Sequence, residues 1–72
     1  MPELSGFSGK DIVSILSSMG FVKKRTRGSH VVLRRNHAVC VVPLHDELAP
    51  GTLRGVLRQA QLSVEEFLEA AK

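Results

Sequence analysis

The apolar positions near the start of the chain recur with the period of an α-helix. Their spacing of i, i+3, i+4 and i+7 forms the stripe of an amphipathic helix, at Ile12, Ile15, Leu16 and Met19. Ser8 and Asp11 are placed as a capping box before this stripe, and Gly20 stands where a left-handed residue often follows the last turn. The pattern predicts a first helix from about Gly9 to Met19.

Three short strand patterns follow, at residues 21–25, 29–35 and 38–42, joined by turns at residues 26–28 and 36–37. In the second strand, Val31 and Leu33 point to one face of the sheet. His30, Val32 and Arg34 point to the other face, because side chains alternate along a strand. The short connections predict an antiparallel meander, with the strand that contains His30 in the middle.

The third strand is apolar throughout and ends at Pro43. As an edge strand without alternation it is an aggregation hazard unless something covers it. We therefore expect this strand to be covered by another protein, by a second copy of the chain in a homodimer, or in a higher assembly with another protein.

Two further helices complete the pattern. After a loop at residues 44–51, Thr52 is the predicted N-cap of a helix whose apolar stripe is Leu53, Val56, Leu57 and Ala60. Ser63 and Glu66 form a second capping box before a last helix at about Val64 to Ala71. The order α-β-β-β-α-α predicts an α+β fold with a three-stranded antiparallel sheet. Because each helix has one apolar face, the helices should pack on one face of the sheet and leave the other open.

Length and composition narrow the class of protein. The 72 residues allow one domain, spanning residues 1–72, that buries only about 60% of its unfolded surface, so a site on an open face is expected rather than a deep cavity. One cysteine excludes an internal disulfide framework and suits a reducing compartment. No apolar run approaches the length of a membrane span, and Met1-Pro2-Glu3 does not begin a signal-peptide pattern. We expect a cytoplasmic protein without a membrane partner.

Charge is distributed unevenly. The net charge is +3, but no Asp or Glu occurs between Ile12 and His45, and six of the ten Lys and Arg residues lie there: Lys23, Lys24, Arg25, Arg27, Arg34 and Arg35. A cation cluster of this kind is typical of phosphate binding, although solvated hairpins are often basic too. Charge alone therefore leaves nucleic-acid binding undecided.

Several short motifs occur in a characteristic order: Ser8-Gly9-Lys10-Asp11, Gly28-Ser29-His30, Val42-Pro43-Leu44-His45, Pro50-Gly51-Thr52-Leu53 and Leu62-Ser63-Val64-Glu65-Glu66-Phe67. With this combination, the chain resembles the HicA toxins, or YcfA-like family, over nearly its whole length. These are small ribonucleases of bacterial and archaeal toxin–antitoxin pairs. The resemblance implies a fold similar to a double-stranded-RNA-binding domain, cleavage of messenger RNA, and neutralisation by a HicB-type antitoxin.

By position, the resemblance gives His30 the place of the family's catalytic histidine and His45 that of a second common histidine. Many members have a further histidine or aromatic residue just after the catalytic one, where this chain has Val31-Val32-Leu33. The chain also lacks Tyr and Trp. Any base stacking that this strand provides in relatives is therefore not expected here.

RNA carries its own nucleophile, the 2′-hydroxyl, so its cleavage needs a base, an acid and cations but no metal or other cofactor. An unperturbed histidine has a pKa of about 6.5 and can act as base or acid near neutral pH. His30 is therefore the predicted catalytic residue. The residues predicted to bind RNA are Lys23, Lys24, Arg25, Arg27, Ser29 and Arg34. His45 is a secondary candidate, and its simpler role is to cap or orient the second helix.

Alternatives remain open at this level. His30 could be an exposed strand residue without a function. A metal site made of His30, His37, Cys40 and His45 is disfavoured because their spacing fits no zinc pattern. The same scaffold could serve as a non-catalytic double-stranded-RNA-binding module that reads A-form shape. It could also be a basic structural subunit that contacts an acidic protein.

Overall fold

The computed structural model of the chain describes residues 4–72; Met1-Pro2-Glu3, where a signal-peptide pattern was not expected, lie outside the described residues. The elements are α1 (Gly9–Ser18), β1 (Val22–Arg27), β2 (His30–Arg35), β3 (Ala38–Pro43), α2 (Pro50–Gln59) and α3 (Val64–Ala70). The sheet is antiparallel with the order β1-β2-β3. The predicted α+β fold with the order α-β-β-β-α-α is confirmed.

The hydrophobic core lies between one face of the sheet and the helices. From the sheet, it receives Val31, Leu33, Cys40 and Val42, all at most 4% exposed. Helices α1 and α2 contact the strands, and α3 packs on α1 and α2. The predicted stripes supply the helical side of the core: Ile12 and Leu16 are buried, as are Leu53, Val56, Leu57 and Ala60. Within residues 4–72, no helix has the length and apolar character needed to cross a membrane.

Both predicted capping boxes form. The Ser8 hydroxyl accepts from the Asp11 N–H and the Asp11 carboxylate accepts from the Ser8 N–H, each at 3.0 Å. Ser63 and Glu66 make the same pair of bonds at 3.0 and 2.8 Å. The backbone hydrogen bond from Ser63 to the carboxylate lowers the pKa of Glu66. Each box provides hydrogen-bond partners for N–H groups at the start of a helix.

Several predicted boundaries differ from the structure, and the first strand differs at both ends. The first strand runs from Val22 to Arg27 rather than over residues 21–25, and the turn that follows is only Gly28-Ser29. It starts later because Phe21 is buried and donates its N–H back to the last turn of α1. It ends later because Gly28, with φ of +58°, allows a two-residue turn.

The start of α2 also differs from the prediction. Its N-cap is Ala49, not Thr52, and Pro50 occupies the first helical turn. A proline fits there because its fixed φ suits a helix and its missing N–H would have no partner within the helix.

The third strand alternates in burial although its sequence does not alternate in polarity. Ala38, Cys40 and Val42 are buried, whereas Val39 and Val41 are 47% and 38% exposed. Its free edge is partly covered, because the Val41 N–H donates to the side-chain oxygen of Gln59 on α2 at 3.0 Å. Covering an edge with a helix is one way in which sheets avoid pairing with other strands. This cover removes part of the reason for expecting a second copy at β3, and the homodimer stays a prediction.

Candidate functional site

His30 is placed by a tight hairpin. Arg27 and His30 face each other as the pair that closes the β1–β2 hairpin, with only Gly28 and Ser29 between them. A glycine with positive φ at the first turn position matches the right-handed twist of the two strands. His30 is therefore the first residue of the middle strand, and its side chain is exposed.

The pairing register sorts the outward side chains into three rows across the sheet. The rows are Arg27–His30–Pro43, Arg25–Val32–Val41 and Val22–Arg34–Val39. Directly paired residues point to the same face of a sheet. The residues in these rows point away from the buried core, so together they form one surface, which we call the open face. On this face Arg27 is the direct partner of His30, Arg25 is one row away and Arg34 is two rows away. Within residues 4–72 the one ion pair joins Lys72 and Glu69. The arginines of the open face therefore form no ion pair with a carboxylate of the described residues.

Lys23 and Lys24 are placed differently from the arginines of the open face. A β-bulge between Lys23 and Arg25 adds one residue to β1, and Lys23 consequently pairs with the buried Leu33 and lies on the helix side of the sheet. Lys24 lies at the bulge itself and is exposed. The structure therefore places Lys23 apart from the open-face arginines.

The other basic residue of the hairpin, Arg35, has a structural role. It is half-buried, lies over the ring of Phe21 at 4.8 Å and donates to the carbonyl of Met19 at 3.0 Å. The last carbonyl groups of a helix lack partners within it, so this bond stabilises the end of α1. Arg34, by contrast, makes a hydrogen bond to a residue close in sequence: its Nε donates to the Asn36 carbonyl at 2.7 Å.

The loop after β3 is held between the hairpin turn and the start of α1. The Leu44 N–H donates to the Ser29 carbonyl at 2.6 Å, and the Gly9 N–H donates to the His45 carbonyl at 2.9 Å. A Cβ at Gly9 would lie 2.2 Å from the Pro43 carbonyl oxygen, so this approach requires glycine. The contact joins the Ser-Gly-Lys-Asp motif to the Pro-Leu-His motif.

His45 lies two residues beyond Pro43, which is the pairing partner of His30, and its side chain is exposed. The two histidines thus share one end of the sheet. The hydrogen bond that His45 makes through its backbone is with the start of α1 rather than with α2.

The remaining residues of the disfavoured metal set lie elsewhere. His37 is in the β2–β3 turn at the opposite end of the sheet from His30, and Cys40 is buried on the inner face. Burial raises the pKa of the Cys40 thiol to about 11. Among residues 4–72, no three His, Cys, Asp or Glu side chains converge in a way that could hold a metal ion.

The sequence patterns did not predict a groove that lies between α1 and β1. It has a volume of about 300 Å³ and is lined by Lys10, Val13, Ser14, Lys23, Thr26, Val31 and Leu44. Its existence depends on how α1 packs across the hairpin, which no local pattern reveals. Three of the lining residues do belong to features of the sequence: Lys10 and Leu44 to two of the short motifs, and Lys23 to the predicted RNA-binding set.

Chemically, the open face carries an exposed imidazole and guanidinium groups that have no carboxylate partner within residues 4–72. Arginine binds phosphate with two parallel hydrogen bonds, and a histidine next to a bound phosphate can transfer a proton. A family model for the HicA toxin of bacterial toxin–antitoxin systems matches residues 9–62, which is 54 of the 72 residues. No curated protein matches the chain. The matched segment includes α1, the whole sheet and α2.

Proposed function

The chain belongs to the HicA toxin family, and on that premise we propose that this toxin is a cytoplasmic endoribonuclease that cleaves messenger RNA with His30 as its catalytic residue. As a toxin of a toxin–antitoxin system it pairs with an antitoxin, which we propose to be of the HicB type. The observation that supports the activity is the open face itself. It sets the His30 imidazole in one row with Arg27 and beside the row of Arg25.

The proposed reaction uses the nucleophile that RNA already contains. The 2′-oxygen attacks the adjacent phosphorus and loses its proton, while the bond from phosphorus to the 5′-oxygen breaks and that oxygen gains a proton. The products are a 2′,3′-cyclic phosphate and a 5′-hydroxyl. His30 performs one of the two proton transfers, which contributes about 10²–10⁴-fold to the rate. Water can serve as the other partner, so the mechanism does not require His45.

The cations bind the phosphate and stabilise the charge that develops on it. Arg27 is directly opposite His30, Arg25 is in the next row of the same face, and Arg34 is one row further on. A phosphate held there by guanidinium groups would lie within reach of the imidazole. Lys24 at the bulge and Ser29 in the turn are proposed to contact the RNA backbone on either side.

Induced expression of three chains tests the proposal: wild type, His30→Ala, and His37→Ala as the matched control. His37 is also an exposed histidine, but it lies in the turn at the other end of the sheet. Wild type and His37→Ala should arrest growth and cleave cellular RNA, and His30→Ala should do neither while retaining its fold.

Two outcomes would contradict this proposal. If folded His30→Ala cleaves RNA as fast as wild type, the imidazole is not the catalytic group. If wild type and His30→Ala both bind RNA equally and leave it intact, the protein is a non-catalytic RNA-binding module.

A further inference from the structure

The groove between α1 and β1 combines an apolar floor with a basic rim. Val13, Val31 and Leu44 contribute apolar surface, and the rim has an ammonium group on each wall, from Lys10 on α1 and Lys23 on β1. The hydroxyl groups of Ser14 and Thr26 supplement the lining, and no carboxylate is among the lining residues in the described chain. Such a site suits a ligand that has a flat apolar part and negative charge on both sides.

The groove lies close to His30 but on the opposite face of the sheet. Thr26 pairs with Val31, and the next pair along the hairpin is Arg27 with His30. Successive pairs point to opposite faces, so the groove and the His30 row are separated by the thickness of the β1–β2 hairpin. A strand of RNA that crosses the edge of β1 would reach both.

The edge between the two faces is basic along its length. All six residues of β1 are exposed, and β1 is an edge strand of the sheet. Lys23 faces the groove, Lys24 lies at the bulge, and Arg25 faces the open side. Because these cations run from one face to the other, they complement a polynucleotide, which has one negative charge per nucleotide, better than an isolated carboxylate.

We propose that the α1–β1 groove binds one nucleotide of the single-stranded substrate next to the cleaved bond. The base lies on the apolar floor, and its flanking phosphates bind Lys10 and Lys23. This inference rests on the proposed function, because it takes RNA as the substrate. The volume of about 300 Å³ is at the lower end of the range for ligand sites, which suits a single nucleotide. A single strand offers unpaired bases to such a surface, whereas a duplex does not.

The first test measures how the affinity for an uncleavable 2′-O-methyl RNA hexamer depends on salt. Lys10→Ala/Lys23→Ala is compared with Arg54→Ala/Arg58→Ala, which removes the same charge from the exposed side of α2. Each phosphate contact with a single strand contributes about 0.7 to the slope of log affinity against log salt. The lysine pair should therefore reduce the slope by about 1.4, and the arginine pair should leave it unchanged. Equal slopes for both pairs would overturn the inference.

The second test fills the groove without changing charge. Ser14 is exposed and lines the groove, so Ser14→Leu puts a side chain where the base would lie. Ser17→Leu, one helical turn further along α1 and outside the groove lining, is the control. Ser14→Leu should weaken hexamer binding by about tenfold, which is about 1.4 kcal/mol, and Ser17→Leu should not.

Failure of this inference can be told apart from failure of the proposed function, because the hexamer is bound but not cleaved. If wild type proves inactive while the groove variants still lose hexamer affinity, the proposed cleavage is wrong but nucleotide binding in the groove is supported. If wild type cleaves RNA through His30 and both groove variants bind the hexamer like wild type, the groove inference alone is overturned. Loss of antitoxin binding with unchanged RNA affinity would also overturn it, since the groove would then be a protein-docking site.

Discussion

Replacing Gly9 with alanine would place a methyl group against the backbone of the loop that follows β3. The added Cβ would lie 2.2 Å from the Pro43 carbonyl oxygen and 2.7 Å from Leu44 Cα. Both neighbours are backbone atoms, which cannot rotate away as a side chain could. The start of α1 must therefore move off the loop, and the hydrogen bond from Gly9 N–H to the His45 carbonyl is lost or stretched.

The expected cost follows from three contributions. Overpacking in a well-packed region costs about 1–3 kcal/mol, and the hydrogen bond contributes about 1 kcal/mol. Alanine favours a helix over glycine by up to about 1 kcal/mol, which offsets part of this loss. The net destabilisation is about 2 kcal/mol. For a domain of this size that corresponds to a fall in Tm of about 8–16 °C.

Thermal and urea unfolding followed by circular dichroism measure this change, with Gly55→Ala as the matched control. Gly55 lies inside α2, and an added Cβ there would meet no atom within 4 Å from the described residues outside its own stretch of helix. Gly55→Ala should leave stability unchanged or raise it by up to about 1 kcal/mol. If Gly9→Ala is as stable as wild type, the close approach of α1 to the loop does not exist as described.

Three further predictions concern other parts of the fold. Arg35→Met removes the bond to the end of α1 and the contact over an aromatic ring, and should lower the free energy of unfolding by about 1–2 kcal/mol in urea titrations. Gln59→Ala leaves the Val41 N–H on the free edge of β3 without its partner, so sedimentation should show more self-association than for Arg58→Ala. The Cys40 thiol, whose pKa burial raises to about 11, should react with a thiol reagent at pH 8 about 100-fold more slowly in the folded chain than in denaturant; equal rates would show that it is exposed.

Features that depend on nearby residues were predictable from the sequence. The capping boxes at Ser8 and Ser63 need only a partner three residues away, and both form. The alternation along β2 correctly separated the buried Val31 and Leu33 from the exposed His30. These patterns sufficed for the order of elements and for the face of the sheet on which His30 lies.

Features that depend on distant residues were not predictable in this way. The bulge in β1 reverses the faces of the residues before it, so Lys23 lies on the helix side and Val22 is 58% exposed on the open face. Nothing in the basic run itself specifies where the extra residue is inserted. The approach of Gly9 to Pro43 and the cover that Gln59 gives to β3 also join residues far apart in the chain. For the same reason, the sequence located the cations of β1 without showing which face each one occupies, whereas alternation along β2 placed Arg34 on the face of His30.

The central claim is that the His30 imidazole transfers a proton during RNA cleavage, and the single-turnover cleavage rate of one RNA tests it most directly. Wild type, His30→Ala and His37→Ala are compared with EDTA present and with folding checked by circular dichroism. We predict that wild type and His37→Ala cleave at similar rates and leave 2′,3′-cyclic phosphate ends, and that His30→Ala is slower by about 10²–10⁴-fold. A folded His30→Ala protein that cleaves within about threefold of the wild-type rate would contradict the claim, because removing a positioned acid or base costs far more than that.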